Sequence, residues 1–342
     1  MKYIGNKTRL ITFLESCLLA ENIDYTKKNV IDLFAGTGSV SKFFKTHACN
    51  IKSCDFMTYS IAEQYRTLYF NKEPNFHELE KEIDMEGTLD NVLLYLNSLE
   101  GVEDYFFENF APSGKFKRQY YSDENAKKID AIRICLEHWK KLISYEKYMF
   151  LVGILMNSAD FVSNTAGTYG AYLKIWRTMA EKAIQLEKPE FISEGKIEIF
   201  QDEVNAFIKK QPFADIVYID PPYNSRQYAP NYHLLESLVV YDKQFLKGKT
   251  GIRSYEQQLS DYCSKRKVET AFRDLIENIR SNYIILSYST EGLLSEEKII
   301  EILKTKGAVS VYRNPYRRFK TNSWTENKTG LSELVFICKQ NP

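Results

Sequence analysis

The stretch Val30-Ile31-Asp32-Leu33-Phe34-Ala35-Gly36-Thr37-Gly38-Ser39 reads as a short apolar strand running into a glycine turn and then a helix. That junction constrains the fold more than any other feature. A strand followed directly by a helix belongs to an open α/β sheet, and ligands of such sheets bind at the carboxyl edge. Gly36 and Gly38 let the backbone turn sharply and approach a ligand without a Cβ clash. A dinucleotide fingerprint needs a third glycine at position 41, where Ser41 stands, and no Gly-Lys-Ser/Thr follows. The turn therefore suits a ligand without a pyrophosphate. Asp55, 23 positions after Asp32, ends the next apolar run, where a carboxylate can hold a ribose diol.

Strand-like runs occur at 29–34, 51–55, 196–200, 215–219, 283–288, 308–312 and 334–338, with helical patterns at Val40–Phe44 onward and Val268–Arg280 between them. This alternation predicts a largely parallel sheet. It stops between Asn71 and Glu194. There Ile129, Ile132, Leu136, Trp139 and Ile143 recur at spacings of three and four, which predicts an amphipathic helix. A more apolar helix is expected from about Glu146 to Phe161, ending near Asn164-Thr165-Ala166-Gly167. The mixed segment Phe110–Tyr121 reads as an exposed loop. The expectation is an α/β unit of residues 1–70 and 195–342, split by a mainly helical insertion of residues 71–194.

The sharpest chemical signal is Ile216-Val217-Tyr218-Ile219-Asp220-Pro221-Pro222-Tyr223. A buried strand delivers an acid and then two prolines, which cannot continue a ladder and restrict the backbone before and within the turn. The outcome is a rigid corner at the same sheet edge as the glycine turn. Such a corner fits chemistry on an exocyclic amine, whose lone pair is delocalised into the base. A carboxylate accepting one N–H and the Pro221 carbonyl accepting the other would free that lone pair. Tyr223 offers a face for a base to stack on, and a duplex base must be flipped out to reach it.

The 342 residues carry a net charge of +1, so the overall field announces no polyanion partner, although positive charge can still gather on one face. The aromatic share of 14% suits bulky cores as well as base-stacking surfaces. The six cysteines lie at no metal-ligand spacing, and with four histidines no metal site is expected. They read as reduced thiols of a cytoplasmic protein. The N-terminus lacks the apolar stretch of a signal peptide, and Tyr148–Met156 is too short to cross a bilayer.

Asp32-Leu33-Phe34-Ala35-Gly36-Thr37-Gly38 and Asp220-Pro221-Pro222-Tyr223 resemble the cofactor and catalytic motifs of N6-adenine DNA methyltransferases. Lys2-Tyr3-Ile4-Gly5-Asn6-Lys7 resembles the extra cofactor motif of the Dam-like, alpha-ordered group, and the insertion matches that group's target-recognition region by position. The resemblance implies a Rossmann-like, seven-stranded methyltransferase sheet and S-adenosylmethionine as cofactor, without a metal. It implies cofactor contacts from Tyr3, Lys7, Asp32, Phe34, Gly36, Gly38, Asp55, Asp202 and Asp220, with Asp220, Pro221, Pro222 and Tyr223 at the reacting amine. Leu33 stands where the family often has proline. Asn224–His233 looks like the post-catalytic loop of a subset of these enzymes. Double-stranded DNA is the implied partner, and a separate restriction endonuclease is plausible by family.

Basic clusters that could contact DNA phosphates are Lys115–Arg118, Lys265–Lys267 and Tyr312–Lys320, and solvated surface is the plainer reading of each. Lys117, Arg118, Arg226, Arg317, Arg318 and Lys320 are the expected contacts. Methylation of cytosine or RNA, or an idle DNA-binding module, are the competing readings. The unbroken acid and both prolines speak against the last.

Overall fold

The structure, a computed structural model, describes residues 10–315 and 332–340. Each of the seven apolar runs is a strand: β1 Asn29–Leu33, β2 Asn50–Asp55, β3 Lys196–Gln201, β4 Ala214–Ile219, β5 Ser281–Ser289, β6 Gly307–Pro315 and β7 Ser332–Gln340. They form one sheet in the order β3-β2-β1-β4-β5-β7-β6. β1 to β5 are parallel, and β7 runs antiparallel between β5 and β6. This is the Rossmann-like methyltransferase sheet.

The helices in chain order are α1 Ile11–Ala20, α2 Ser39–Thr46, α3 Thr58–Gln64, α4 Glu80–Ile83, α5 Leu89–Ser98, α6 Tyr105–Phe110, α7 Asp123–Trp139, α8 Tyr145–Phe161, α9 Val204–Ile208, α10 Tyr228–Asn231, α11 His233–Val240, α12 Val268–Asn278 and α13 Glu296–Leu303. Strand side chains alternate between the sheet faces. Ile216 and Tyr218 of β4 join the core under α1 and α2, whereas Val217 and Ile219 join the core under α9, α12 and α13. Both faces are therefore covered, which explains why β4 is apolar from Ile216 to Ile219.

Helices α4 to α8 all fall in the crossover between β2 and β3. α7 and α8 start where sequence chemistry favours a start. The Ser122 and Ser144 hydroxyls accept the N–H groups of Asn125 and Lys147, and acids occupy the first turns. On α7 the buried residues Ile129, Ile132, Leu136 and Trp139 form the expected stripe. The helix ends at Trp139, and Ile143 packs from the following turn. Each such side chain contributes about 1.5–3 kcal/mol by leaving water. α8 crosses α3 so closely that a Cβ on Gly153 would stand 2.4 Å from the Ala62 carbonyl oxygen.

Two expectations change. The core of the helical segment does not stop near residue 70 or 195: it runs into Met57–Tyr65 and Ala229–Leu246. The segment Phe110–Tyr121 is only partly an exposed loop. Phe110, Tyr120 and Tyr121 are fully buried, and the Tyr120 hydroxyl lies 2.9 Å from the carbonyls of both Tyr169 and Thr250. Among the described residues no helix is long and apolar enough to cross a membrane.

Candidate active site

The parallel register puts three carboxylates on adjacent strand ends. Leu33 pairs with Cys54 and with Ile219, so Asp32, Asp55 and Asp220 gather at one sheet edge. The Asp220 N–H reaches the Leu33 carbonyl at 3.4 Å, tying the acid–proline corner to the glycine turn. All three line one cavity of about 970 Å³, together with Phe34, Gly36 and Pro222.

The glycine turn is over-determined. Gly36 has φ +54° and Gly38 φ +76°, both in the left-handed region. The Gly36 N–H donates to Asp55 Oδ2 at 2.7 Å, and Gln64 Nε2 donates to the Gly36 carbonyl at 3.0 Å. Gly38 begins α2, and a Cβ on it would meet Leu68 Cδ1 at 2.5 Å. Phe34, at φ +58°, is a bulky residue in a backbone region that usually favours glycine, the kind of strain that gathers at functional sites. Its ring meets Tyr262 edge-on at 4.8 Å.

Asp32 is only 1% exposed. Its Oδ2 accepts the Ser41 hydroxyl at 2.6 Å, while Oδ1 is buried without a hydrogen-bond partner among the described residues. Burial pushes its carboxyl up to about 7. The Ser41 bond opposes that rise, and the neighbouring charges of Asp220 and Asp55 add to it. Asp55 is raised by burial too, against the pull of the Met57 and Gly36 amides on its two oxygens. The unpartnered Asp32 oxygen and the crowding of three acids at one cavity mark this edge as a candidate site.

The model of the D12 class N6 adenine-specific DNA methyltransferase family matches residues 3–302. The chain belongs to this family. It is 36% identical over 351 residues to modification methylase StsI of Streptococcus sanguinis, covering 100% of this chain and 52% of that one. It is 37% identical over 350 residues to type II methyltransferase M.FokI of Planomicrobium okeanokoites, covering 100% and 53%. It is 39% identical over 342 residues to type II methyltransferase M.NlaIII of Neisseria lactamica, covering 98% and 97%. The chain thus spans about half the length of the first two relatives and nearly all of the third. Among solved structures, magnesium protoporphyrin IX methyltransferase from Synechocystis PCC 6803 with bound SAM is 7% identical at a TM-score of 0.36, covering 98% of this chain and 80% of that one. That likeness is too slight to carry any argument.

In this D12 chain the remaining expected residues fall in different places. Pro221 is buried, and Tyr223 packs against Tyr288 outside the cavity lining, its carbonyl accepting the Leu293 N–H at 2.8 Å. Asp202 turns away from the cavity: Oδ1 accepts the Glu203 N–H, Oδ2 faces Lys210 at 3.3 Å, and Glu203 lines the cavity instead. Lys117 and Arg226 are exposed. Arg118 is not a surface cation. It is 3% exposed, and its guanidinium donates to the carbonyls of Asn109, Gly248 and Lys249 at 3.0 Å each. Tyr3, Lys7, Arg317, Arg318 and Lys320 lie outside the described residues.

Several cavity residues were not singled out from sequence as site residues. Phe56 and Met57 follow Asp55, and Gln227 and Tyr228 follow the acid–proline corner. Gln258 to Tyr262 form a further wall. Arg266 and Lys267, from one of the basic clusters, reach the cavity as well. Proximity to a motif could have flagged the first four, but nothing in sequence marks residues 258–262.

Proposed function

We propose that this chain transfers a methyl group from S-adenosylmethionine to the exocyclic N6 amine of an adenine flipped out of double-stranded DNA. One observation supports the reading above all: the glycine turn after β1 and the acid–proline–proline corner after β4 open onto the same cavity. A volume of about 970 Å³ has room for a nucleoside cofactor beside a base.

The residues fit that cofactor. The unpartnered, buried Oδ1 of Asp32 suits an ammonium donor, which the methionine end carries. Each Asp55 oxygen accepts one backbone amide and keeps a lone pair for a ribose hydroxyl. Phe34, backed by Tyr262, presents an apolar surface. Tyr3 and Lys7 join the same set by resemblance alone. When bound, S-adenosylmethionine supplies a methyl group on a sulfonium centre.

The chain's own residues activate the acceptor. Asp220 accepts one N–H of the amine and the Pro221 carbonyl the other, drawing the nitrogen toward tetrahedral geometry with its lone pair directed at the methyl group. Asp220 is the group placed to receive the proton that the nitrogen sheds. Pro222 shapes the wall, and the cavity-lining Tyr228 offers an aromatic face to the extruded base, a contact of about 1–3 kcal/mol, while Tyr223 joins it by resemblance alone. The helical segment 71–194 reads the target sequence. Lys117, Arg226, Arg317, Arg318 and Lys320 hold phosphates, joined by Arg266 and Lys267 at the cavity. Kinship with modification methylases points to a cytoplasmic, DNA-bound modification enzyme that protects sites from a separate restriction endonuclease.

Incubation with tritiated S-adenosylmethionine and duplex DNA or RNA, followed by nucleoside analysis, tests this. Label in N6-methyladenine of DNA is expected. Label confined to cytosine or to RNA contradicts the reading.

A further inference from the structure

The wall of the cavity formed by residues 256–263 is attached to the molecule in an unusual way. It consists of two single-turn 3-10 helices, Glu256–Gln258 and Asp261–Cys263. Its backbone hydrogen bonds to backbone are all local: Gln258 to Tyr255, Cys263 to Ser260 and Ser264 to Asp261. No sheet ladder or long helix fixes it, so its position depends on side chains. Yet five consecutive residues of this strap, Gln258 to Tyr262, line the cavity.

Gln227, seven residues after Asp220, supplies a two-bond pin, beside a longer contact from the Cys263 thiol to the Arg226 carbonyl at 3.4 Å. Its Oε1 accepts the Ser260 N–H at 2.8 Å, and its Nε2 donates to the Ser260 carbonyl at 3.1 Å. One carboxamide thus replaces a two-bond strand pairing. Gln227 and Ser260 both line the cavity. On the far side, Glu236 accepts from Gln258 Nε2 at 2.7 Å while also holding the Thr58 and Tyr59 amides at the start of α3. Two residues beyond Ser260, the Tyr262 hydroxyl donates to Asn205 Oδ1 at 2.8 Å and its ring meets Phe34 in the cofactor turn. A continuous path therefore runs from the Asp220 loop through Gln227 and the strap to the cofactor turn.

We propose that Gln227 is a positioning residue for methyl transfer: its carboxamide locks the 256–263 strap to the post-Asp220 loop and so sets the cofactor wall against the acceptor site. This rests on the methyltransferase reading above. Gln227 touches neither reacting atom; it acts through Ser260. A side chain without the paired donor and acceptor loosens the strap at Ser260, and the reacting groups spend less time aligned.

The test compares wild type with Gln227→Met and Gln227→Glu. In Gln227→Met the single-turnover rate at saturating S-adenosylmethionine and DNA should fall roughly ten- to thirty-fold, the effect of losing two neutral hydrogen bonds. The Ser260 amide should exchange with solvent roughly ten-fold faster or more by the same reasoning, a readout independent of turnover. Gln227→Glu supplies the decisive arm. As a carboxylate it keeps the acceptor but sets a second oxygen against the Ser260 carbonyl. Once protonated, its O–H and C=O reproduce the carboxamide pattern. Its rate relative to wild type at the same pH should therefore climb as the pH falls from about 8 to about 5.5. Wild-type rates in Gln227→Met, or a pH-independent deficit in Gln227→Glu, overturn the proposal. An inactive wild type overturns instead the methyltransferase reading on which it stands, while the Ser260 exchange result still reports on the pin.

Discussion

Replacing Asp32 with asparagine should stabilise the ligand-free protein near pH 8 while weakening its hold on the cofactor. The carboxyl is moved from 3.8 to about 7, chiefly by burial. At about 1.4 kcal/mol per pH interval of one, ionising it in the folded chain costs about 4 kcal/mol more than in the unfolded chain. An acid whose folded pKa is raised imposes no penalty below about pH 4, where both states hold the proton. It loses stability as pH climbs toward 7, and the full penalty applies above that. Asparagine keeps an acceptor for the Ser41 hydroxyl but leaves a buried amide hydrogen without a partner, at about 1–3 kcal/mol. The net gain at pH 8 is therefore about 1–3 kcal/mol, and the advantage should shrink by about 2–3 kcal/mol on going to pH 5, where wild-type Asp32 is mostly neutral. Urea denaturation of both proteins at the two pH values measures this directly. Binding of S-adenosylhomocysteine, which keeps the ammonium, should release a proton from wild-type Asp32 near pH 6, visible by calorimetry in buffers of different ionisation enthalpy. A stability difference that ignores pH, together with binding that moves no proton, would refute the reasoning.

Other substitutions separate structure from function. Arg118→Ala should cost about 1–3 kcal/mol of stability, because it strips the buried Asn109 carbonyl and the part-buried Gly248 and Lys249 carbonyls of their donor, and should leave the salt dependence of DNA binding unchanged. Lys117→Ala should do the reverse, lowering the slope of log affinity against log salt by about one with little change in denaturation midpoint. Equal behaviour of the two would show that burial does not distinguish them. Gly153→Ala should destabilise by about 1–3 kcal/mol, since the new Cβ meets the Ala62 carbonyl oxygen at 2.4 Å and α8 must move off α3; an unchanged melting temperature would mean the crossing is loose.

The sheet was legible because its strands obey local rules: apolar runs bounded by turn residues, with the glycines and prolines marking where chain direction must change. The three carboxylates could be placed for the same reason, since Asp55 ends such a run, Asp220 follows one and Asp32 lies one residue before the end of β1. What escaped was whatever long-range partners decide. Lys115-Phe116-Lys117-Arg118 looks uniformly exposed as a string, but Arg118 finds carbonyls at Gly248 and Lys249, 130 residues away or more. Gly251 stands aside for it, since a Cβ there would lie 2.8 Å from the guanidinium carbon. Asp202 occupied the expected place in sequence but paired with Lys210 one helix on. The 256–263 strap carries no periodic pattern at all, because side chains contributed by distant segments hold it in place. The helical insertion could be bounded by where strand alternation stops, but not by its core, which α3 and α11 complete.

The claim at the centre is that Asp220 works on a DNA adenine beside the cofactor turn. Sequencing that reads modified bases in DNA from cells expressing the wild-type chain or Asp220→Ala tests it in one measurement. N6-methyladenine at a defined sequence in the first sample and none in the second is the expected result. Identical modification in both, or its absence in both from a folded, cofactor-binding protein, would contradict the account.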